Sequence, residues 1–180
     1  MSDWTVDPKL GPALISEDTL RARVHSLAGE ISRDYAGKQL LLVGLLRGSV
    51  FFLADLSRAI TIPVSVDFLA VSSYVGRDSS GVVRLLKDLD HPVAGMDVLL
   101  VEDVIDTGLT LSYVLRVLKT RDPASLEVCT LLNRPRGRLI EQPLKYVGFD
   151  VPDDFVVGYG LDFEQRYRNL PYIGTLKPGA

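Results

Sequence analysis

The chain has 180 residues, 47% of them hydrophobic and 24% charged, with a formal net charge of −3. Those values fit one ordinary globular domain over 1–180 with a substantial core and exclude a disordered chain. The charge balance gives no electrostatic reason to expect nucleic acid or an anionic membrane as partner. The single cysteine, Cys129, rules out an intramolecular disulfide and agrees with a reducing, cytoplasmic setting.

Residues 1–14, with Pro8, Gly11 and Pro12, read as a loose lead-in without the basic and apolar regions of a signal peptide. No apolar run reaches the ~18–20 residues of a membrane span. Ser16 then offers a helix N-cap, and Glu17 and Asp18 fall where the helix dipole favours negative charge. Leu20, Val24, Leu27 and Ile31 follow at helical spacing, and Gly37 ends the segment. Leu40–Leu46 is a nearly continuous apolar run, the pattern of a strand buried on both faces. Val50–Ile60 has helical spacing up to Pro63, and Val64–Val71 is the next strand. Residues 72–84 are expected to form a mobile loop, since Ser72–Ser80 is polar and contains glycine. Asp97–Val101 is another buried strand, Leu109–Leu118 a helix, and Leu126–Leu132 a strand in which Cys129 reads as a small apolar core residue. Short strands are expected around Lys145–Phe149, Phe155–Gly158 and Tyr172–Leu176. Strands alternating with helices predict an α/β fold with a mainly parallel central sheet. Ligands in such folds bind beyond the carboxyl ends of the strands.

Asp97–Leu111 reads DVLLVEDVIDTGLTL. The strand is expected to end in Glu102 and Asp103, and a short turn of Asp106, Thr107 and Gly108 then opens a helix. Free amides at a helix N-terminus attract an anion. The hydroxyls of Thr107 and Thr110 add donors, so Asp106–Thr110, Leu109 included, is a candidate phosphate cradle. It is neither a Walker A loop nor a dinucleotide fingerprint. Two adjacent carboxylates would repel a phosphate unless they face hydroxyl donors or a divalent cation such as Mg²⁺. Read singly, Glu102 and Asp103 could be solvated residues at a strand end and Asp106 a helix cap. Strand, acid pair, turn and helix in one string favour the functional reading.

That string resembles the phosphoribosyl pyrophosphate (PRPP) motif of the type I phosphoribosyltransferases. The resemblance implies that family's fold, a parallel sheet flanked by helices with a small hood. It assigns Glu102 and Asp103 to the ribose hydroxyls and Asp106, Thr107, Gly108, Leu109 and Thr110 to the 5′-phosphate. Further segments resemble the hypoxanthine-guanine branch, and together the likeness runs from about Ile15 to Pro178. Arg47-Gly48, in LLRGSVFF, is similar to a pyrophosphate loop whose Lys/Arg-Gly peptide is often cis. Ser73-Tyr74 is similar to the opening of a closing lid. In FVVGYGLDFEQRYR, Phe155 would stack on a purine and Val156 would read it through its backbone. Asp162 would hold Mg²⁺ near pyrophosphate and lie among the purine contacts, Glu102 and Asp103 are further candidate metal ligands, and Arg168 would pair with pyrophosphate oxygens. Arg134, in LLNRPRGR, stands where relatives commonly have Lys donating to a 6-oxo group. The resemblance also makes Asp106 the general base at purine N7, PRPP and a purine base the substrates, and a homodimer or homotetramer the expected assembly. An alternative on the same fold is a nucleotide-sensing, RNA-binding regulator. The net charge and the purine-type segment Phe155–Asp162 weigh against it.

Overall fold

The computed structural model describes residues 7–73 and 83–177. Its elements are β1 (Leu10–Ile15), α1 (Glu17–Asp34), β2 (Leu40–Leu46), α2 (Val50–Ala59), β3 (Val64–Ser73), β4 (Val83–Lys87), β5 (Asp97–Ile105), α3 (Leu109–Lys119), β6 (Ser125–Asn133), β7 (Tyr146–Asp150), β8 (Val156–Val157) and β9 (Ile173–Leu176). A six-stranded sheet runs β4-β3-β2-β5-β6-β7, and a three-stranded sheet runs β1-β9-β8. In the larger sheet β3, β2, β5, β6 and β7 are parallel, and β4 joins the edge antiparallel.

Side-chain alternation along each strand explains the layers. In β2, Leu40 and Leu42 pack with α1 residues Leu20, Leu27 and Ile31 and with Phe52, Leu53 and Leu56 of α2. Leu41, Val43 and Leu45 pack with α3 residues Leu111, Val114, Leu115 and Leu118 on the opposite face. In β5, Leu99 and Val101 join the first group, Val98 and Leu100 the second. Strands with both faces covered must be apolar throughout, which is why β2 is legible in the sequence. Cys129 is fully buried among the first group, and burial pushes its thiol up, as a core role requires. Leu99→Ala should lower unfolding free energy by about 2–5 kcal/mol, read from urea denaturation.

Helix α1 starts as expected, with the Ser16 hydroxyl accepting from the Thr19 amide at 3.2 Å. Three expectations need correction. Residues 10–14, read as lead-in, belong to β1, which pairs antiparallel with β9 at Leu10–Leu176, Ala13–Gly174 and Ile15–Ile173. Gly11 and Pro12 hid this strand, because the pairing partner lies at the far end of the chain and tolerates register shifts. The loop expected over 72–84 is strand at both edges, since Ser72 and Ser73 pair with Arg84 and Val83. The stretch between, with Tyr74, lies outside the described residues. Strand β5 does not end at the acid pair but continues through it to Ile105, held by parallel pairing of Val104 and Ile105 with Leu132 and Asn133 of β6. The sequence leaves open whether the Arg47-Gly48 peptide is cis; the non-proline cis bond lies at Leu46-Arg47, one bond earlier.

The strand order fixes where a ligand can sit. The chain passes from β2 to β3 on one side and then crosses to β5 on the other side of β2. Strands β2 and β5 are adjacent and parallel, so the loops after them diverge and leave a crevice at their carboxyl ends. Arg47-Gly48 follows β2, and Glu102-Asp103 lies near the end of β5.

Candidate active site

A cavity of about 190 Å³ opens in that crevice, lined by Leu45, Glu102, Asp103, Asp106, Thr107, Gly108 and Thr110 among others. The turn after β5 brings the predicted phosphate residues together. Gly108 has φ 81°, caps α3 and precedes its first residue, Leu109. A side chain at Gly108 would meet the Ile140 carbonyl at 2.4 Å, so both backbone angle and space demand glycine. The Leu109 amide donates weakly to Thr107 Oγ1 at 3.4 Å and Gly108 offers no side-chain cap, so among the described residues the next amides of α3's first turn are open to an anion. The Thr107 carbonyl accepts from the amides of Leu139 and Ile140 at 2.9 and 3.1 Å. Segment 134–140 thereby braces the turn from outside.

Glu102 is 5% exposed, and burial together with neighbouring Asp103 pushes its carboxyl well above the usual range. Asp103 is also raised by burial, although the Val104 amide donates to its Oδ1 at 2.8 Å. Among the described residues no cation bonds to this pair, Glu102 buried and Asp103 half-buried, and such a pair is costly on its own and is relieved by hydroxyl donors or a divalent cation. Mg²⁺ suits this donor set, because it takes one or two carboxylates and completes its shell with water and substrate phosphate. Among the described residues no group of three or more His, Cys, Asp or Glu converges on one point, which such a shared shell does not require.

Gly48 closes the other side of the crevice. An added Cβ there would lie 1.6 Å from Asp103 Oδ2, so the β2–α2 turn rests directly on the acid pair. Ser49 steadies the turn, its buried hydroxyl donating to the Leu45 carbonyl at 2.6 Å. Arg47 is exposed and donates to Gln165 Oε1 at 3.2 Å. Arg168 reaches the same oxygen at 3.4 Å and pairs with Asp162 Oδ1 at 2.6 Å. The Gln165 amide donates to Asp162 Oδ2 at 2.9 Å. Two guanidinium groups thus meet on one neutral amide, and among the described residues only Arg168 is matched by a carboxylate. That leaves positive charge for a polyanion. The loop holding them is unusual in backbone as well. Glu164, Gln165 and Tyr167 have φ of 52°, 65° and 74°, a left-handed conformation uncommon outside glycine and often found at functional sites.

The base-reading residues lie on two other segments. Phe155 is 52% exposed, with its ring edge-on to Phe163 at 5.6 Å, and so offers an open aromatic face. Val156 is buried and sits opposite Thr175 of β9. Arg134 donates to the Asp154 carbonyl at 2.8 Å and lies 3.8 Å from Asp106 Oδ2. Among the described residues its buried Nε has no partner, which leaves donor capacity beside Asp106. The structure therefore brings together Arg47, Gly48, Glu102, Asp103, the 106–110 turn, Asp162 and Arg168, with Arg134 beside Asp106. Ser73 ends β3, and Tyr74 lies outside the described residues.

Sequence reading passed over three contributors. Arg138 Nε donates to the Asp106 carbonyl at 3.0 Å, and its Nη2 donates to Asn133 Oδ1. Gly137 leaves room for the Asp106 carboxylate, whose Oδ1 would be 2.4 Å from an added Cβ. Gln165 joins the two arginines. The Pro135-Arg136-Gly137 turn directly after β6 was the available signal for the first two. Nothing in an exposed polar loop marks Gln165.

A larger cavity, about 580 Å³, lies between α1, α2 and residues 159–171. None of the sequence-predicted residues lines it, and the smaller crevice alone combines the anion cradle with the acid pair.

The chain matches the family model of the phosphoribosyl transferase domain over residues 16–164. It is 54% identical over 172 residues to the hypoxanthine-guanine phosphoribosyltransferase of Mycobacterium avium, covering 92% of this chain and 85% of that protein. It is 49% identical over 166 residues to the hypoxanthine phosphoribosyltransferase of Salmonella typhimurium, covering 91% and 93%. A crystal structure of a hypoxanthine phosphoribosyltransferase from Staphylococcus aureus superposes with a TM-score of 0.94 at 43% identity, covering 99% of this chain and 97% of that one.

Proposed function

The chain belongs to the phosphoribosyltransferase family, in its hypoxanthine(-guanine) branch, and is a pentosyltransferase acting in purine salvage; from that premise we propose that it transfers the 5-phosphoribosyl group of PRPP to N9 of hypoxanthine or guanine with Mg²⁺, releasing pyrophosphate. The observation that carries this reading is the seat of Gly48 on the Asp103 carboxylate beside the 106–110 turn. It sets a ribose grip, a phosphate cradle and a cationic loop around one crevice.

Amides and hydroxyls of Asp106–Thr110 hold the 5′-phosphate. Glu102 and Asp103 accept from the ribose hydroxyls, which places C1 between Gly48 and the purine. Arg47 and Arg168 spread the charge that builds on the departing pyrophosphate. Bound Mg²⁺ would neutralise the same charge, taking one or two of the carboxylates Glu102, Asp103 and Asp162 and completing its shell with water and substrate oxygens. Phe155 stacks on the purine, and the backbone at Val156 meets its edge. Arg134 donates to the 6-oxo group, which disfavours adenine with its 6-amino donor. As N9 bonds to C1 and the C1–pyrophosphate bond breaks, the proton on N7 passes to the Asp106 carboxylate. Lid closure by the segment beginning at Ser73-Tyr74 would keep water from the cationic sugar.

The relatives named above are enzymes, and nothing in them supports the RNA-binding regulator. Among the described residues no helix is long and apolar enough to cross a membrane. A cytoplasmic homodimer or homotetramer is the setting we infer from the family. Purified protein with PRPP and Mg²⁺ should form nucleotide from hypoxanthine or guanine and none from adenine, followed by chromatography. Chelating the metal should abolish formation, and readdition of Mg²⁺ should restore it. Turnover of uracil alone, or undiminished turnover in chelator, would refute the assignment.

A further inference from the structure

We propose that Tyr159, held by Asp55, is a positioning residue that sets the pyrophosphate end of the site by pressing Gly160 onto Gly48. The inference rests on the reading above that Arg47-Gly48 and Arg168 hold pyrophosphate. Tyr159 sits between two glycines in a run of left-handed residues, Gly158 at φ 102°, Tyr159 at 49° and Gly160 at 102°. Contacts explain the glycines. An added Cβ would lie 2.0 Å from the Tyr172 carbonyl at Gly158, and 2.0 Å from the Gly48 carbonyl at Gly160. Tyrosine has no such freedom, and a left-handed backbone costs it about 1–2 kcal/mol. Something outside the run must hold it there.

Two bonds and one ring contact do so. The Tyr159 amide donates to the Leu170 carbonyl at 2.8 Å, and the buried phenol donates to Asp55 Oδ2 at 2.7 Å. Its ring lies 6.5 Å from that of Phe51, centroid to centroid. Asp55 and Phe51 belong to α2, the helix that opens directly after the Arg47-Gly48 turn. The hood loop therefore touches the β2–α2 unit twice, through Gly160 at the pyrophosphate turn and through Tyr159 further along the helix. Gly160 also carries the second cation, since its carbonyl accepts from Arg168 Nη1 at 2.7 Å and its amide donates to the Arg168 carbonyl at 2.9 Å. Tyr159 lies three residues beyond Val156 in the same segment, but its hydrogen bonds run to Leu170 and Asp55 and not to the residues assigned to the purine, so its effect should fall first on the pyrophosphate side.

The test is steady-state kinetics with both substrates varied, alongside thermal melting. Tyr159→Phe should raise KM for PRPP, and the dissociation constant of pyrophosphate, by about tenfold, the loss expected for one hydrogen bond to a charged acceptor. KM for hypoxanthine should stay within about twofold, because Tyr159 lies outside the purine contacts. Asp55→Asn keeps an acceptor but not its charge and should fall between the unmodified protein and Asp55→Ala, which should match Tyr159→Phe. The double variant should be no worse than either single one, as expected for two partners in one bond. A purely structural role would lower the melting temperature and leave both KM values in place, and that result would overturn the proposal. So would equal rises for both substrates. If Tyr159→Phe fails to fold, the Asn and Ala variants at 55 carry the same decision. Loss of all transferase activity in the unmodified protein would instead refute the underlying reading of the site.

Discussion

Asp106→Asn is expected to lower turnover by about 10²–10³-fold while KM for PRPP stays within about threefold. The split follows from how the residue is held. Its carbonyl accepts from Arg138, and the next residue's carbonyl accepts from Leu139 and Ile140. The phosphate cradle is thus braced through backbone atoms, independently of the side chain. Asparagine has the same shape and leaves that bracing intact, but it cannot take the proton from N7. The weak ion pair with Arg134, 3.8 Å away at a half-exposed carboxylate, would be lost as well. Contributions of such pairs are small, so KM for the purine should move little. Equal falls in kcat and in PRPP affinity would show that Asp106 serves the cradle and not proton transfer.

Gly48→Ala should reduce kcat/KM for PRPP by about a hundredfold or more, since misplacing a reacting centre by an ångström has consequences of that order. The new methyl would have to share space with Asp103 Oδ2, and Asp103 Cγ lies at 2.6 Å from the same point. Either the carboxylate swings away from the ribose or the β2–α2 turn lifts off the acid pair. Both separate the sugar grip from the pyrophosphate grip. Gly37→Ala supplies the control, because Gly37 also has an unusual backbone, φ 75°, but nothing within 4 Å of the added carbon. It should cost some stability and no activity. Wild-type kinetics for Gly48→Ala would mean that the contact between the turn and Asp103 does not matter to the reaction.

The parts of the fold written in local pattern were legible. Strand β2 is a continuous apolar run because helices cover both its faces, and α1 begins at Ser16 because the hydroxyl there caps it. The acid pair and the turn at Asp106–Gly108 could be read because they lie in one unbroken string. What stayed hidden depends on partners distant in sequence. Strand β1 exists only by pairing with β9, and β4 is a short edge strand whose partner holds it. Tyr159 and Asp55 are 104 residues apart, and neither carries a local sign of the other. The position of the cis bond is likewise a property of the folded turn and not of the residues in it.

The smaller sheet is stitched from strands near opposite ends of the described chain, β1 against β9, with β8 beside them. The residues between β8 and β9 that the proposed reading assigns to pyrophosphate, Arg168 among them, are suspended from that seam. During synthesis on a ribosome the large sheet can be completed first, with its ribose and phosphate contacts already formed. The seam must wait for β9 to emerge and close a loop spanning almost the entire polypeptide, a slow event by its length alone. On the proposed reading, a nascent chain would set the residues assigned to the sugar phosphate before those assigned to pyrophosphate, and catalytic competence would be among the last properties it acquired.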